Sequence, residues 1–271
     1  MKPRFEQGYW LVLEVVVGIA MAFLLLPLIF VALNSIGPAG LAYFPPPEFS
    51  ISSYTTIPVK WLWSTLAAIG LGLSSTAGGA VLGTLAALAL ARGGLRARGL
   101  VESLCRSPLQ IPSLVLGVAF LQFYSWAALS GGPDLRGSYM GLAIAHTAVA
   151  TPFVMVVVLA RLKKFDWYLE EAAQGLGASP MQTFVMVTLP IIAPAVLSGC
   201  FFAFLLSIDN VPLSLFLVGA GQPLLPVDLF NSIQFDLTRT VYAVSTIVSA
   251  ITTVVVATAF RRLTSVFAAS G

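Results

Sequence analysis

Long apolar runs constrain this chain more than any other feature. Segments approximating Leu11–Leu33, Trp63–Ala91, Leu109–Leu129, Tyr139–Leu162, Pro190–Val218 and Val241–Phe260 are almost wholly apolar. A helix needs about 20 mostly apolar residues to cross the hydrocarbon of a bilayer. The expectation is an all-α polytopic membrane protein with six transmembrane helices. Composition agrees: 58% of residues are hydrophobic and 9% charged, whereas soluble domains carry roughly 25% charged residues to cover their surfaces. The first run, preceded by Lys2 and Arg4, has some features of a signal peptide. It is too long for an h-region and NSIGPAG is a poor cleavage sequence, so it reads as a span.

The basic residues orient the spans. Lys2 and Arg4 precede the first; Arg92, Arg96, Arg98 and Arg106 surround the link between the second and third. Arg161, Lys163 and Lys164 follow the fourth, and Arg261 and Arg262 follow the sixth. With six alternating spans all of these fall on one side, leaving Lys60, Arg136 and Arg239 on the other. Because Lys and Arg accumulate in cytoplasmic loops, both termini are expected in the cytoplasm. The segment from Asn34 to Trp61, rich in Pro, Ser and aromatics, is expected to lie extended on the outer surface. The arginine-bearing link ARGGLRARGLVESL is expected to form an amphipathic surface segment and not to bind nucleic acid.

Against this background EEAAQGLGASPMQTFVMVTLP, residues 170–190, is an interruption on the basic side. Asp166 is placed to cap a short helix starting at Trp167, with Glu170 and Glu171 near its positive end. Gly177 suits a left-handed stop. Ser179, Pro180 and Gln182 have the spacing of a capping box with proline in the first turn, opening a second helix from Met181 to Thr188. On these signals alone, a well-capped connector and a docking element stand as equal readings.

The same residues carry a resemblance. Glu171-Ala172-Ala173, then Gly177, then Leu189-Pro190, with Val187 where the family often has Ile, resemble the EAA loop of ABC-importer permeases. FPPPEFSISSY, AHTAVATPFVMVVVLARL and LPVDLF are similar to segments of spermidine/putrescine-type permeases. The resemblance implies a type I ABC-importer permease (MetI-like) fold, with a single permease domain over residues 1–271 and a coupling loop at about 163–190. It also implies that Glu171, Ala172, Ala173, Gly177, Leu189 and Pro190 belong to a coupling helix seated on an ATPase subunit. Its implied partners are two ATP-binding cassette subunits, a second homologous permease in a heterodimer, an extracytoplasmic solute-binding protein and the lipid of a bacterial inner membrane. No cofactor is expected in this chain: it has no G-x-x-x-x-G-K-[ST] phosphate loop, so ATP and Mg would be held by the partners. Catalytic residues are expected to be none, because no nucleophile with a base stands out. A metal site is not expected with a single histidine, and Cys105 and Cys200 read as packing residues.

Polar residues inside the spans are candidates for the solute path, since a charge near the bilayer centre costs roughly 2.5–3.5 kcal/mol on insertion scales. Asp209 and Asn210, followed by Pro212, interrupt the fifth span, with an interfacial Asp bonded to a neighbouring helix as the structural reading. Polyamine permeases tend to carry two acidic residues in tandem there; this chain has one. Tyr124 and Trp126 in the third span are placed either to stack on an alkylammonium chain or to join an interfacial aromatic belt. His146 reads as a packing hydrogen-bond donor, Glu14 as interfacial, and Gly79 and Gly83 as a close helix contact. The expected function is a permease subunit of an ATP-driven importer for a polyamine or related cation. The alternatives are another solute of the same family, such as an opine, an aminophosphonate or ferric ion, or an ion-driven carrier or channel.

Overall fold

The computed structural model describes residues 4–38, 45–46, 48–94, 96–235 and 238–269, with side chains placed between residues 9 and 258 of these. Twelve α-helices are described: α1 (Arg4–Ser35), α2 (Ser52–Thr55), α3 (Val59–Ala91), α4 (Arg98–Arg106), α5 (Ser113–Leu129), α6 (Tyr139–Leu162), α7 (Tyr168–Gly175), α8 (Pro180–Thr183), α9 (Leu189–Asp209), α10 (Val211–Leu217), α11 (Leu225–Phe235) and α12 (Arg239–Ala269). Five helical stretches are long and apolar enough to cross a membrane. The pair Arg98–Leu109 and Ser113–Leu129 passes the same length and composition test only when taken together, and its axes differ by 101°; counted as one span it makes six. The chain is an all-α membrane protein.

Two expected spans differ in detail. The third does not start at Leu109: α5 begins at Ser113 after Pro112, and its 17 residues extend only ~25 Å at 1.5 Å per residue. Pro108 and Pro112 lack the N–H that would carry a helix through the turn, so α4 folds away. There Glu102 pairs with Arg106 at 2.6 Å and lies 3.9 Å from Lys163, while Leu100 and Leu104 stay exposed. The link thus holds a helix with none of its residues buried. The fifth span, expected over Pro190 to Val218 with a disturbance near Pro212, breaks outright at Asn210 (φ −81, ψ 67) into α9 and α10. Pro212 in the first turn of α10 has no N–H, so a new helix starts more readily than the old one continues.

The described residues form two compact units, residues 1–59 with 229–271 and residues 60–228. In the first, α1 packs along α12, and α12 also meets α2. Ser35 and Tyr54 share a 2.7 Å hydrogen bond and Ser53 Oγ donates to the Gly37 carbonyl at 2.9 Å. Most apolar side chains of α1 remain exposed, as suits lipid or a partner helix.

In the second unit α3, α6 and α9 supply the core. Ala87, Leu88, Leu90, Val154, Met155, Val158, Leu159, Leu162 and Ile192 bury one another. Gly79 and Gly83 let α3 cross the backbone of α6: a Cβ on Gly83 would stand 2.6 Å from the Thr151 carbonyl oxygen. Gly72 similarly admits the Phe204 ring of α9, whereas Gly70 faces open space. α10 rests on α5, where the Phe216 ring approaches Gly117.

Candidate functional site

The interruption at 163–190 folds as a compact projection. Asp166 Oδ1 accepts from Tyr168 N at 3.1 Å, opening α7. Gly177, at φ +93, ends it in the left-handed region that a side chain resists. Ser179 then closes a reciprocal capping box with Gln182: Gln182 N donates to Ser179 Oγ at 3.3 Å, and Ser179 N donates to Gln182 Oε1 at 2.8 Å. The second helix is not separate from the span that follows. Pro180 to Asp209 is one helical stretch, carrying a π turn at Phe184–Thr188 in which Leu189 N–H reaches back five residues to the Phe184 carbonyl. Pro190, which lacks an N–H to donate to the turn before it, stands next to this widened turn.

The residues of the EAA pattern divide by exposure. Glu171, Ala172 and Gly177 face out, Ala173 is half-buried, and Leu189 packs on the core while Pro190 is exposed. Around them Leu176 is 92% and Met181 70% exposed, so the tip presents a charge, small residues and bare apolar side chains.

Sequence reasoning placed Glu170 only at the positive end of a helix, and missed what it does. Among the described residues it is the one buried carboxylate. Arg92 Nη2 donates to both its oxygens at 3.2 Å, and Thr188 Oγ1 donates to Oε1 in a short bond. Arg92 also lies over the Trp167 ring, 5.8 Å from its centroid, a cation–π distance. The available signal was spacing: Trp167, Glu170 and Ala173 recur every third residue, Trp167 just before α7 and the other two on its inward face. Arg92 and Thr188 are too distant in sequence to be matched to it.

The four path candidates differ in exposure and bonding. Asp209, the last residue of α9, is exposed, and Asn210 uses its Oδ1 to accept from Leu213 N at 3.3 Å, capping α10. Tyr124 is 1% exposed and its hydroxyl donates to the Gly141 carbonyl at 2.8 Å. It joins α5 to α6 with its ring covered. Trp126 is 64% exposed beside Phe123. His146 is buried, with Nδ1 2.9 Å from Ser207 Oγ and Nε2 3.1 Å from Ser214 Oγ. These serines flank the break, and Ser207 also bonds Ser75 at 2.9 Å. His146 is the packing link its surroundings suggested, tying α9 and α10 to α6.

At the loop joining α5 to α6, Arg136 holds Asp134 through two 2.8 Å side-chain bonds. These bonds, with the positive charge, lower the Asp134 carboxyl to about 2.

Comparison with known proteins places this geometry. The family described as the binding-protein-dependent transport system inner membrane component matches residues 79–269. The putrescine transport system permease protein PotI of Escherichia coli K12 is 33% identical over 218 residues, 74% of this chain and 77% of its own. The spermidine/putrescine transport system permease protein PotC of Haemophilus influenzae is 32% identical over 167 residues, 62% of this chain and 63% of its own. Among solved structures, a chain of a bacterial ABC transporter that imports the acidic polysaccharide alginate superposes with a TM-score of 0.76, covering 97% of this chain and 98% of that one at 16% identity. A chain of the MetNI methionine transporter gives 0.58, covering 77% and 98% at 22% identity; both likenesses concern the fold. With a family match over most of its length and helices to span a membrane several times, this chain belongs to the binding-protein-dependent transport system inner membrane components, the permease subunits of ABC importers.

Proposed function

We propose that this permease moves a polyamine such as putrescine, or a related organic cation, as one half of a heterodimeric pore in a bacterial inner membrane. An extracytoplasmic binding protein delivers the solute, and two ATPase subunits, which hold the ATP and Mg, clamp on the loop at 163–190. The observation that carries this reading is the projection itself, an exposed Glu171, Leu176 and Met181 on a doubly capped turn. The similarity to a putrescine permease over 74% of the chain adds the solute class. Arg161, Lys163 and Lys164 adjoin the loop in sequence and Arg92 meets it through Glu170, and this charge bias supports a cytoplasmic loop and cytoplasmic termini. Glu171 offers the ATPase a charged contact and Gly177 permits the bend.

Asp209 is the proposed attractant for the cation. It ends α9, where unpaired carbonyls add partial negative charge to that of its carboxylate, and the broken span is the kind of backbone that lines transport paths. Trp126 is exposed and free to contact an alkylammonium chain; Asn210 serves the path by holding the break. The test is reconstitution of the permease pair, ATPase and binding protein in liposomes with labelled putrescine. Uptake that requires ATP, and that falls in Asp209→Ala while uptake of a neutral solute persists, supports the reading. No ATP-dependent accumulation of putrescine, or equal losses for charged and neutral solutes, refutes it.

A further inference from the structure

The buried carboxylate of Glu170 has no part in the docking surface, yet it joins three elements. Arg92 is the first residue beyond α3, Glu170 lies in the first turn of α7, and Thr188 is the last residue of the π turn before α9. One carboxylate therefore accepts from both neighbours of α7. The arrangement is self-consistent electrostatically: a cation belongs at the C-terminal end of α3, and an anion at the N-terminal end of α7. The arginine is half-open to solvent while the glutamate is covered, so the pair avoids the desolvation of two fully buried ions. Behind it Trp167 packs edge-on against Phe165, with ring centroids 4.9 Å apart, and Phe165 belongs to the core shared by α3 and α6.

We propose that Glu170 is a positioning residue: the Arg92–Glu170–Thr188 clip fixes α7 rigidly to the ends of α3 and α9, so that force applied at the loop's tip enters both spans at once. Adjacent glutamates thus divide the work, Glu171 facing outward and Glu170 bracing from within. The π turn makes the brace necessary. A widened turn lacks the regular i to i−4 ladder, and Pro190 leaves the next turn without one donor. Without the Thr188 bond, the helix has its weakest point between the tip and the membrane, and a push is absorbed by bending there.

This inference rests on the reading of 163–190 as an ATPase-docking loop. Its test is the assembled importer in liposomes with Thr188→Val, Thr188→Ser and Glu170→Gln variants. Two quantities are read, putrescine accumulated per ATP hydrolysed and the stimulation of ATP hydrolysis by the solute-binding protein. Thr188→Val keeps side-chain shape and removes one hydroxyl, so it is expected to assemble. The expected result is a loss of about fivefold or more in both quantities for Thr188→Val and Glu170→Gln, with basal ATP hydrolysis retained and Thr188→Ser at parental level. Full coupling in Thr188→Val and Glu170→Gln overturns the clip, and so does a proportional fall in uptake and basal hydrolysis from poor assembly. A parent importer that accumulates no putrescine refutes the polyamine reading instead. The clip is then judged on stimulation by the binding protein alone.

Discussion

Replacing Gly83 by alanine isolates how much of the fold depends on the close crossing of α3 over α6. The added methyl would stand 2.6 Å from the Thr151 carbonyl oxygen, 2.9 Å from Met155 N and 2.9 Å from Val154 Cβ. Two of these atoms are helix backbone, which cannot turn aside as a flexible side chain does. A comfortable carbon–oxygen contact is ~3.4 Å, so the helices must part by about 0.8 Å along the seam. A gap of that size forfeits a quarter to a half of the dispersion attraction between facing atoms, among them the buried Ala87, Ala150 and Val154. Overpacking of this kind costs ~1–3 kcal/mol, and three close contacts argue for the upper end. Alanine returns ~1 kcal/mol through its better helix propensity, leaving a net loss of about 2 kcal/mol. Gly70→Ala is the matched control, because it changes the same helix at a position with nothing within 4 Å. It should be neutral or stabilising by up to ~1 kcal/mol. Unfolding in mixed micelles of mild detergent and dodecyl sulfate, followed by tryptophan fluorescence, gives both values. Equal stability of Gly83→Ala and Gly70→Ala would refute the argument.

Three further outcomes are expected. Gly177→Ala meets no atom within 4 Å, so its cost is purely the left-handed backbone, about 1–2 kcal/mol. It should appear as faster hydrogen exchange in α7 and α8 with no change across α6. His146→Phe removes the ring nitrogens from Ser207 and Ser214, a loss of about 0.6–1.7 kcal/mol for hydrogen bonds between membrane helices, measured in the same micelle titration. Arg136→Gln should return the Asp134 carboxyl from about 2 to the ordinary value near ~3.9, read by carbon-13 carboxyl shifts. The sign follows from the lowered value: the pair is fully formed above the ordinary carboxylate range and is lost only as pH falls through about 2.

Much of this architecture was legible because lipid imposes a simple grammar. Apolar length marks the crossings, and the Gly177 turn and the Ser179–Gln182 box follow from local backbone chemistry that a single sequence displays. The bend before α5 and the break at Asn210 were harder. Prolines at 108, 112 and 212 announce a disturbance, but hydropathy averages over it, and whether a helix kinks or stops depends on whether the freed groups find partners. At Asn210 they do, through its own side chain. Tyr124 illustrates the opposite limit. Composition offered an aromatic ring to a cation, and only the packing of α6 showed its hydroxyl committed to Gly141 and its ring covered.

Within the unit of residues 60–228, stiffness is distributed unevenly, and the distribution suits a lever. The loop end is over-determined: α7 is stopped by a left-handed glycine, α8 is capped at both partners of its box, and the carboxylate of Glu170 ties the base to two spans. The helical stretch leaving it, from Pro180 to Asp209, ends instead at a backbone break. That break is bridged by one imidazole shared between two serines, bonds that in a membrane are individually worth little more than thermal energy. On the proposed coupling role, a displacement introduced at the stiff end would pass along α9 and be taken up where its bonds are weakest, between Asp209 and Val211. If ATP-driven rocking uses this gradient, Asn210→Leu should uncouple uptake less than Thr188→Val does, because removing the α10 cap softens a point already built to yield. Severe uncoupling by Asn210→Leu together with a silent Thr188→Val would reverse the order and refute the lever.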